Sequence, residues 1–167
     1  MNSNTYDLAS ELGQRLARQG FLFVCAESCT GGLLAGAITD VAGSSQWFDR
    51  GFVTYSNQAK QDHLGVSSET LDRFGAVSEE TAMEMASGAL ASAPDAHFAL
   101  STTGIAGPSG ATQGKPVGMV CFGFASRSTD GVTTRAYTEH FDGDRAAVRL
   151  ASVRFALQLA LQTIPER

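Results

Sequence analysis

The stretch Phe21-Leu-Phe-Val-Cys-Ala-Glu-Ser-Cys-Thr-Gly-Gly-Leu-Leu34 begins as an apolar run and ends in polar side chains followed by two glycines. An uninterrupted apolar run of this length is typical of a strand that is buried on both faces of a sheet. Gly31 and Gly32 let the backbone turn tightly and bring N–H groups close to a ligand. The stretch predicts a buried strand that delivers residues 27–30 to a helix start. An ordinary strand-to-helix turn with Thr30 as N-cap would have the same pattern.

The composition is that of an ordinary globular chain. With 167 residues, 43% hydrophobic and 17% charged, residues 1–167 are expected to form one domain. The net charge is −5 and the lysines and arginines are scattered, which argues against a nucleic-acid partner. No apolar run is long enough to span a membrane, and no apolar segment follows a basic start. We therefore expect a cytoplasmic protein that does not bind membranes.

The cysteines and histidines do not form a metal-binding pattern. Three cysteines without a C-x-x-C pair are expected to be free thiols, and no metal site is predicted. They are Cys25, Cys29 and Cys121. The histidines each lie alone in a separate predicted element, where a structural or solvated role is expected; they are His63, His97 and His140.

Hydrophobic periodicity and turn residues predict alternating helices and strands. Helices are expected over residues 5–19, 32–41, 57–64, 67–74, 78–92 and 144–163. Strands are expected over 21–26, 51–55, 97–102, 117–125 and 132–141, the last two as an antiparallel pair. The order α-β-α-β-ααα-β-β-β-α predicts an α/β fold, a three-layer α-β-α single domain with a mixed sheet.

Two further patterns make specific structural predictions. The buried stripe of the last helix is expected to consist of Leu150, Val153, Leu157, Leu161 and Ile164. The loop of residues 103–114 is rich in glycine and proline and is too long for a plain connector, which predicts a functional role.

Reactive side chains recur where predicted strands end, at residues 27–30, 55–60, 102–104 and 143–145. Ligands of open α/β sheets bind at such strand ends, so we expect these segments to converge on one site. Ser28 would need a base in order to act as a nucleophile. A desolvated Lys60 amine could supply it, with Tyr55 relaying a proton or orienting the amine, although a solvated helix lysine is the simpler interpretation.

Cys29 is an alternative nucleophile. Together with Glu27 and Lys60 it supplies the residue types of a Glu-Lys-Cys amidase. Adjacent residues of an extended chain point in opposite directions, so only one of Ser28 and Cys29 can face the site.

Groups that could stabilise negative charge lie nearby. Thr103 and the N–H groups of Gly104 and of the Cys29–Gly31 turn are candidate donors to a developing oxyanion. Arg145 and Arg149 lie on one face at the start of the last helix, where positive charge opposes the helix dipole. An anionic ligand would explain them, and neutralisation by the neighbouring aspartates at 142 and 144 would explain them equally well.

Five segments in order resemble the CinA C-terminal domain family, from about residue 8 to residue 160. They are Ala26-Glu-Ser-Cys-Thr-Gly-Gly32, Gly51-Phe-Val-Thr-Tyr-Ser-Asn-Gln-Ala-Lys60, Gly75-Ala-Val-Ser-Glu79, Thr103-Gly-Ile-Ala-Gly-Pro108 and Lys115-Pro-Val-Gly118. For a stand-alone domain the resemblance implies a nicotinamide-nucleotide amidohydrolase, which converts nicotinamide mononucleotide to nicotinate mononucleotide and ammonia without a metal or cofactor. The binding partner it implies is that small nucleotide.

The resemblance also implies residue roles. Ser28 would be the nucleophile and Lys60 the base, with Tyr55 and Thr103 supporting them and Arg145 contacting the ligand. The remaining substrate contacts are expected from Glu27, Cys29, Thr30, Gly31, Gly32 and Gly104. A non-enzymatic partner-binding module of the competence or DNA-damage type is the alternative function. The sequence does not determine the oligomeric state, and a homodimer is a working expectation.

Overall fold

A five-stranded sheet runs through the molecule in the order β2-β1-β3-β4-β5, in a computed structural model that describes residues 4–166. The strands are β1 (Phe23–Glu27), β2 (Phe48–Val53), β3 (Phe98–Gly104), β4 (Met119–Ser128) and β5 (Gly131–His140). The helices are α1 (Thr5–Gln19), α2 (Leu33–Thr39), α3 (Asn57–Leu64), α4 (Ser68–Phe74), α5 (Glu79–Ala91) and α6 (Arg145–Thr163). Residues 1–3 and 167 of the predicted domain lie outside the described residues.

The sheet is mixed, as predicted. β1 pairs in parallel with β2 and with β3, whereas β3–β4 and β4–β5 are antiparallel. Every residue of β1 is buried, as its apolar run requires. The carboxyl ends of the three parallel strands therefore meet at one edge of the sheet, where β1 ends at Glu27 and β3 ends at Gly104.

Helices cover both faces of the sheet. Successive side chains of β1 alternate between the faces, so Phe23 joins the core beneath α1, α2 and α6, while Val24 joins the core beneath α3, α4 and α5. Large side chains such as Phe122 fill the first core, and the second is built mainly from alanine, leucine and Met85. The predicted three-layer α/β architecture is confirmed.

Local capping explains the short helix that leaves β2. The Ser56 hydroxyl accepts the Ala59 N–H at 3.0 Å and caps α3, which begins at Asn57, four residues after the end of β2. Gly65, with φ of 67°, ends the helix in the left-handed conformation. Lys60 consequently lies on the first turns of α3, beside the carboxyl ends of the parallel strands.

Three predicted details need correction. β2 spans Phe48–Val53 rather than 51–55, because its register is set by pairing with β1 from Phe23↔Phe48 onward. α2 is shorter than predicted and begins at Leu33. Leu150 is 48% exposed, because α6 packs through a face that includes small residues, and these carry no signal in a count of large apolar side chains. That buried face consists of Val148, Ser152, Val153, Ala156, Leu157, Leu159 and Ala160.

Residues 4–166 contain neither a membrane-spanning helix nor a cluster of metal-ligand side chains. None of the helices there combines the length and the apolar character needed to cross a bilayer. Nor do three or more His, Cys, Asp or Glu side chains in that range come together as a possible metal-binding group.

Candidate active site

Ser28 and Lys60 meet at the carboxyl edge of the sheet. Ser28 directly follows β1, and Lys60 projects from α3, which follows the neighbouring strand β2. The Lys60 Nζ lies 2.9 Å from the Ser28 Oγ. Ser28 is 8% exposed and Lys60 is 1% exposed, so the pair is almost shielded from solvent. The predicted solvated lysine is therefore excluded as a description of Lys60.

Backbone carbonyls hold the Lys60 amine in place. Its Nζ donates to the Thr54 carbonyl oxygen at 3.0 Å and to the Tyr55 carbonyl oxygen at 3.1 Å. A carbonyl only accepts, so these two contacts use two N–H groups. The Ser28 hydroxyl also donates to the Tyr55 carbonyl oxygen, at 3.4 Å. A neutral amine has two N–H groups and one lone pair, so once both N–H groups are bonded to carbonyl oxygens the lone pair is available to the Ser28 hydroxyl. The geometry suits an amine that accepts the serine proton.

The electrostatic environment favours the neutral amine. Burial lowers the pKa of Lys60 from 10.5 to about 8. A shift of that size raises the neutral fraction about 300-fold at neutral pH. Within the described chain no carboxylate lies at ion-pair distance from the amine to counteract the shift.

The Cys29 thiol differs from the Ser28 hydroxyl in both environment and ionisation. Cys29 is 5% exposed and belongs to the core beneath α1, α2 and α6, although it also borders the cavity described below. Burial raises its pKa to about 12, so the thiol is neutral at physiological pH. Unlike Ser28, it has no hydrogen bond to Lys60 or to another base within residues 4–166.

Glu27 is a structural anion rather than a cavity residue, and the expectation that it contacts the substrate needs correction. Its side chain is 0% exposed and points at the start of α2. The carboxylate accepts hydrogen bonds from the Thr30 hydroxyl at 2.6 Å and from backbone N–H groups of Gly32, Leu34 and Ala35 at 3.2, 2.8 and 3.0 Å. Because this internal carboxylate occupies the helix N-terminus, those N–H groups are not available to a substrate anion.

The turn after Ser28 is also committed to internal bonds. The Thr30 hydroxyl donates to Glu27 and can therefore accept from the Thr102 hydroxyl, 2.8 Å away. The Gly31 N–H donates to the Ser28 carbonyl oxygen at 3.0 Å. None of Thr30, Gly31 and Gly32 borders the cavity, contrary to the prediction. Their hydrogen bonds instead fix the turn that carries Ser28.

A cavity of about 350 Å³ opens in front of Ser28 and Lys60. Of the predicted residues, it is lined by Ser28, Cys29, Tyr55, Lys60, Thr103, Gly104 and Arg145. The rest of the wall comes from residues of the family-like segments and of the long loop to which the sequence analysis gave no individual role, namely Ala76, Val77, Ile105, Ala106, Gly107, Ser109 and Gly110. Most of these belong to the long glycine- and proline-rich loop. The predicted functional role of that loop was the feature of the sequence that could have indicated them.

The end of β3 shapes the back of the cavity. The Thr103 hydroxyl donates to the Ala76 carbonyl oxygen at 2.8 Å and so fixes the segment before α5. The Ile105 N–H donates to the Met119 carbonyl oxygen at 2.9 Å. Because pairs alternate in an antiparallel ladder, the Gly104 N–H points away from β4, toward the space beyond the end of β1.

Arg145 and Tyr55 meet at the mouth of the cavity. The Arg145 guanidinium donates to the Gly107 carbonyl oxygen at 2.9 Å and to the Tyr55 phenol oxygen at 3.1 Å. Tyr55 is 61% exposed, and only its backbone carbonyl contacts the Lys60 amine, so the expected proton relay through its phenol is not supported.

The charge of Arg145 is not neutralised by the neighbouring aspartates. Asp144 accepts the Ala147 N–H at 2.9 Å as the N-cap of α6. Across residues 4–166 no carboxylate lies within ion-pair distance of Arg145. Arg149 instead donates to the Cys29 and Thr30 carbonyl oxygens at 3.1 and 3.3 Å. Of the two arginines, Arg145 has the charge that an anionic ligand could use.

Comparison with known proteins identifies the family. Residues 5–164 match the CinA C-terminal domain. The chain belongs to the CinA C-terminal domain family. It is 54% identical over 157 residues to a nicotinamide-nucleotide amidohydrolase PncC of Enterobacter agglomerans, covering 94% of this chain and 93% of the relative. It is 51% identical over 161 residues to the PncC of Escherichia coli K12, covering 96% and 95%.

Solved structures of CinA-related proteins share the fold. The competence/damage inducible protein of Agrobacterium tumefaciens superposes with a TM-score of 0.88 at 46% identity, covering 97% of this chain and 96% of the other. The competence damage-inducible protein A of Klebsiella pneumoniae superposes with a TM-score of 0.91 at 38% identity, covering 96% and 97%. In this member of the CinA C-terminal domain family, the resembling segments around Ser28, Lys60 and Thr103 all converge on the cavity.

Proposed function

We propose that this chain hydrolyses the carboxamide of nicotinamide mononucleotide, yielding nicotinate mononucleotide and ammonia. The observation that carries the proposal is the buried Lys60 amine, 2.9 Å from the Ser28 hydroxyl, with its other partners restricted to carbonyl oxygens. The substrate class is supported by the names of relatives that match nearly the full chain.

In the proposed reaction, the Ser28 Oγ attacks the carboxamide carbon while its proton passes to the Lys60 Nζ. The tetrahedral intermediate collapses, the C–N bond breaks, and the Lys60 ammonium returns the proton to the departing ammonia. A water molecule then attacks the ester carbon while Lys60 accepts its proton, the bond between that carbon and the Ser28 Oγ breaks, and Lys60 returns the proton to Ser28 as nicotinate mononucleotide leaves. The outward-facing Gly104 N–H is a suitable donor to the intermediate oxyanion.

Serine is the better candidate nucleophile of the two adjacent residues. Ser28 has its base within hydrogen-bond distance, whereas burial raises the pKa of Cys29 to about 12 and leaves its thiol protonated. The Glu-Lys-Cys alternative also lacks its acid, since the Glu27 carboxylate is bonded to α2. These contacts support the Ser-Lys mechanism.

Arg145 is proposed to bind the 5′-phosphate of the nucleotide. It is the cation of the cavity mouth without a carboxylate partner among the described residues, and a guanidinium suits phosphate oxygens. The α2 N-terminus, a common phosphate site, is already occupied by Glu27.

We infer that residues 1–167 act as a single CinA C-terminal-like domain in the cytoplasm, with no metal and no cofactor. Unchanged activity in the presence of EDTA would support the metal-independent chemistry.

Ammonia release from nicotinamide mononucleotide tests the function directly. Purified wild-type protein is expected to release ammonia and form nicotinate mononucleotide in equal amounts, and Ser28→Ala is expected to release neither. The variant should keep its fold, because the hydroxyl is not part of either apolar core. If the wild type produces no ammonia, the proposal fails, and a non-enzymatic partner-binding role replaces it.

A further inference from the structure

The outer edge of β5 is a long strand edge that no other strand among residues 4–166 pairs with. β5 is the last strand of the sheet, ten residues long, and it pairs with β4 in an unbroken register. It contains no proline and no bulge, the devices that commonly protect an edge strand from pairing. Residues 131–135 are exposed.

The direction of its backbone groups follows from two hydrogen bonds. The Phe141 N–H donates to the Gly118 carbonyl oxygen at 2.9 Å, immediately beyond the last pair of the β4–β5 ladder. Bonded and non-bonded pairs alternate in an antiparallel ladder, so odd-numbered residues of β5 bond to β4. The Ile105 N–H donates to the Met119 carbonyl oxygen, so odd-numbered residues of β4 bond to β3 and even-numbered ones bond to β5. In the β4–β5 register these even-numbered residues lie opposite odd-numbered residues of β5, which gives the same result. The N–H and C=O groups of Val132, Thr134, Ala136, Thr138 and His140 therefore point outward.

The flanking helices leave this edge open. α5 reaches β5 through the Thr138 hydroxyl, which donates to Glu79 at 2.7 Å. On the other face, α6 packs over β4, where the ring centroids of Phe155 and Phe122 are 4.6 Å apart. α5 packs on one face of β5 and α6 packs over β4, so both helices cover faces of the sheet rather than its edge, and a further strand could join beside β5 without displacing them.

We propose that β5 pairs with β5 of a second copy of this chain, in antiparallel orientation about a two-fold axis at Tyr137. This register places Arg135 opposite Glu139 of the partner subunit, and the symmetric contact repeats the pair. Arg135 and Glu139 form no ion pair with residues 4–166 of their own chain. An axis at Arg135 or at Glu139 would set like charges opposite each other. The outward residues Ala136 and Thr138 would complete the new ladder.

Charge reversal tests the interface in solution. Wild-type protein should be dimeric by sedimentation velocity. Arg135→Glu should raise the dissociation constant of the dimer on the order of thirtyfold, because two attractive pairs become repulsive. The double variant Arg135→Glu/Glu139→Arg restores both pairs and should restore the dimer. A monomeric wild type, or a dimer that the single reversal leaves unchanged, would overturn the proposal.

Disulfide trapping tests the register. In the proposed ladder positions 135 and 139 face each other as a non-hydrogen-bonded pair, with Cβ atoms about 4.5–5.5 Å apart. Mixing Arg135→Cys protein with Glu139→Cys protein under mild oxidation should give a cross-linked dimer. The native cysteines are buried and should not interfere. Neither variant alone should cross-link, and a dimer formed by Arg135→Cys alone would contradict the register.

Discussion

Three hydrogen-bond partners and burial determine the position and the protonation state of the Lys60 amine. The Thr54 and Tyr55 carbonyl oxygens take two of its N–H groups, and burial lowers its pKa to about 8. In the neutral amine this leaves the nitrogen lone pair for Ser28, whose Oγ lies 2.9 Å from the Lys60 Nζ. The proposed mechanism depends on the protonation state of one amine.

A rate that depends on this amine should rise with pH. The active form is neutral, so activity should increase through the lowered pKa of about 8 and level off above it. Lys60→Arg keeps the charge but cannot give up its proton, and we expect a loss of about 10²–10⁴-fold, nearly equal to that of Lys60→Ala. Steady-state kinetics across the pH range would measure both effects. Substantial activity in the arginine variant would contradict the assignment of Lys60 as the base.

Arg145 should act on binding rather than on bond cleavage. Losing a charge-assisted hydrogen bond of roughly 1.5–3 kcal/mol corresponds to about a ten- to hundred-fold loss of affinity, so Arg145→Ala should mainly raise KM for nicotinamide mononucleotide. Nicotinamide riboside lacks the phosphate, so the same variant should change the KM for nicotinamide riboside little. Tyr55→Phe is the matched control, because it removes the hydrogen bond between the Arg145 guanidinium and the Tyr55 phenol while the charge of Arg145 is kept. An equal loss on both compounds would show that Arg145 supports the geometry instead.

Residue types and the family resemblance were sufficient to predict that Ser28, Lys60 and Arg145 lie together. They were not sufficient for Glu27. Its chemistry suits substrate contact equally well, but adjacent side chains of a strand point in opposite directions, and Ser28 takes the direction of the cavity. Where the Glu27 carboxylate ends depends on where α2 begins, a tertiary feature that no local pattern encodes.

Among the elements, the close approach of α5 to α3 holds Lys60 against Ser28. Gly88 of α5 lies so near the end of α3 that a Cβ there would be 1.8 Å from the Leu64 carbonyl oxygen. Leu64 is the last residue of α3, the helix that carries Lys60. A side chain at this glycine would have to move that helix.

Gly88→Ala should therefore lower both stability and kcat. Alanine gains up to about 1 kcal/mol of helix propensity, but overpacking against backbone costs about 1–3 kcal/mol and displaces α3. Urea unfolding and steady-state kinetics would measure the two losses. Gly36→Ala in α2 is the control: a Cβ there meets nothing within 4 Å, and stability should rise by roughly 0.5–1 kcal/mol. A fully active Gly88→Ala protein would contradict the role of this contact.

Element boundaries could be predicted where local chemistry sets them. Asn4 caps α1 and Gly20 ends it, and α3 lies between Ser56 and Gly65, so both helices have the predicted bounds. The bounds of β2 depend on its register with β1, which is a contact between distant parts of the chain. The exposure of Leu150 likewise depends on the angle at which α6 packs, set by alanines rather than by large side chains.

For the whole molecule, His97 ties the start of β1 to the start of β3. Its Nδ1 accepts the Leu22 N–H at 3.0 Å, so the ring is unprotonated at that nitrogen. Burial, and then the nearby Arg127, lower the pKa of His97 below its ordinary value of 6.5. The folded protein thus binds a proton at His97 more weakly than the unfolded chain does.

Stability should accordingly fall as the pH drops. The contribution of His97 is complete above its unfolded pKa of about 6.5, declines below it, and levels off below the lowered folded pKa. Urea midpoints measured between neutral and acidic pH should show the decline. His97→Asn keeps an acceptor for the Leu22 N–H but has no ring that titrates. The stability of this variant should therefore fall less between neutral and acidic pH, by the amount that His97 contributes in the wild type. An identical pH profile in both proteins would contradict this linkage.

Rapid-quench mass spectrometry tests whether Ser28 attacks the amide of the nucleotide. Wild-type protein mixed with nicotinamide mononucleotide, quenched in acid and digested, should yield a peptide with the substrate, less ammonia, attached to Ser28. Ser28→Ala should yield no adduct and no ammonia. An adduct on Cys29, or continued ammonia release by Ser28→Ala, would contradict the Ser-Lys mechanism.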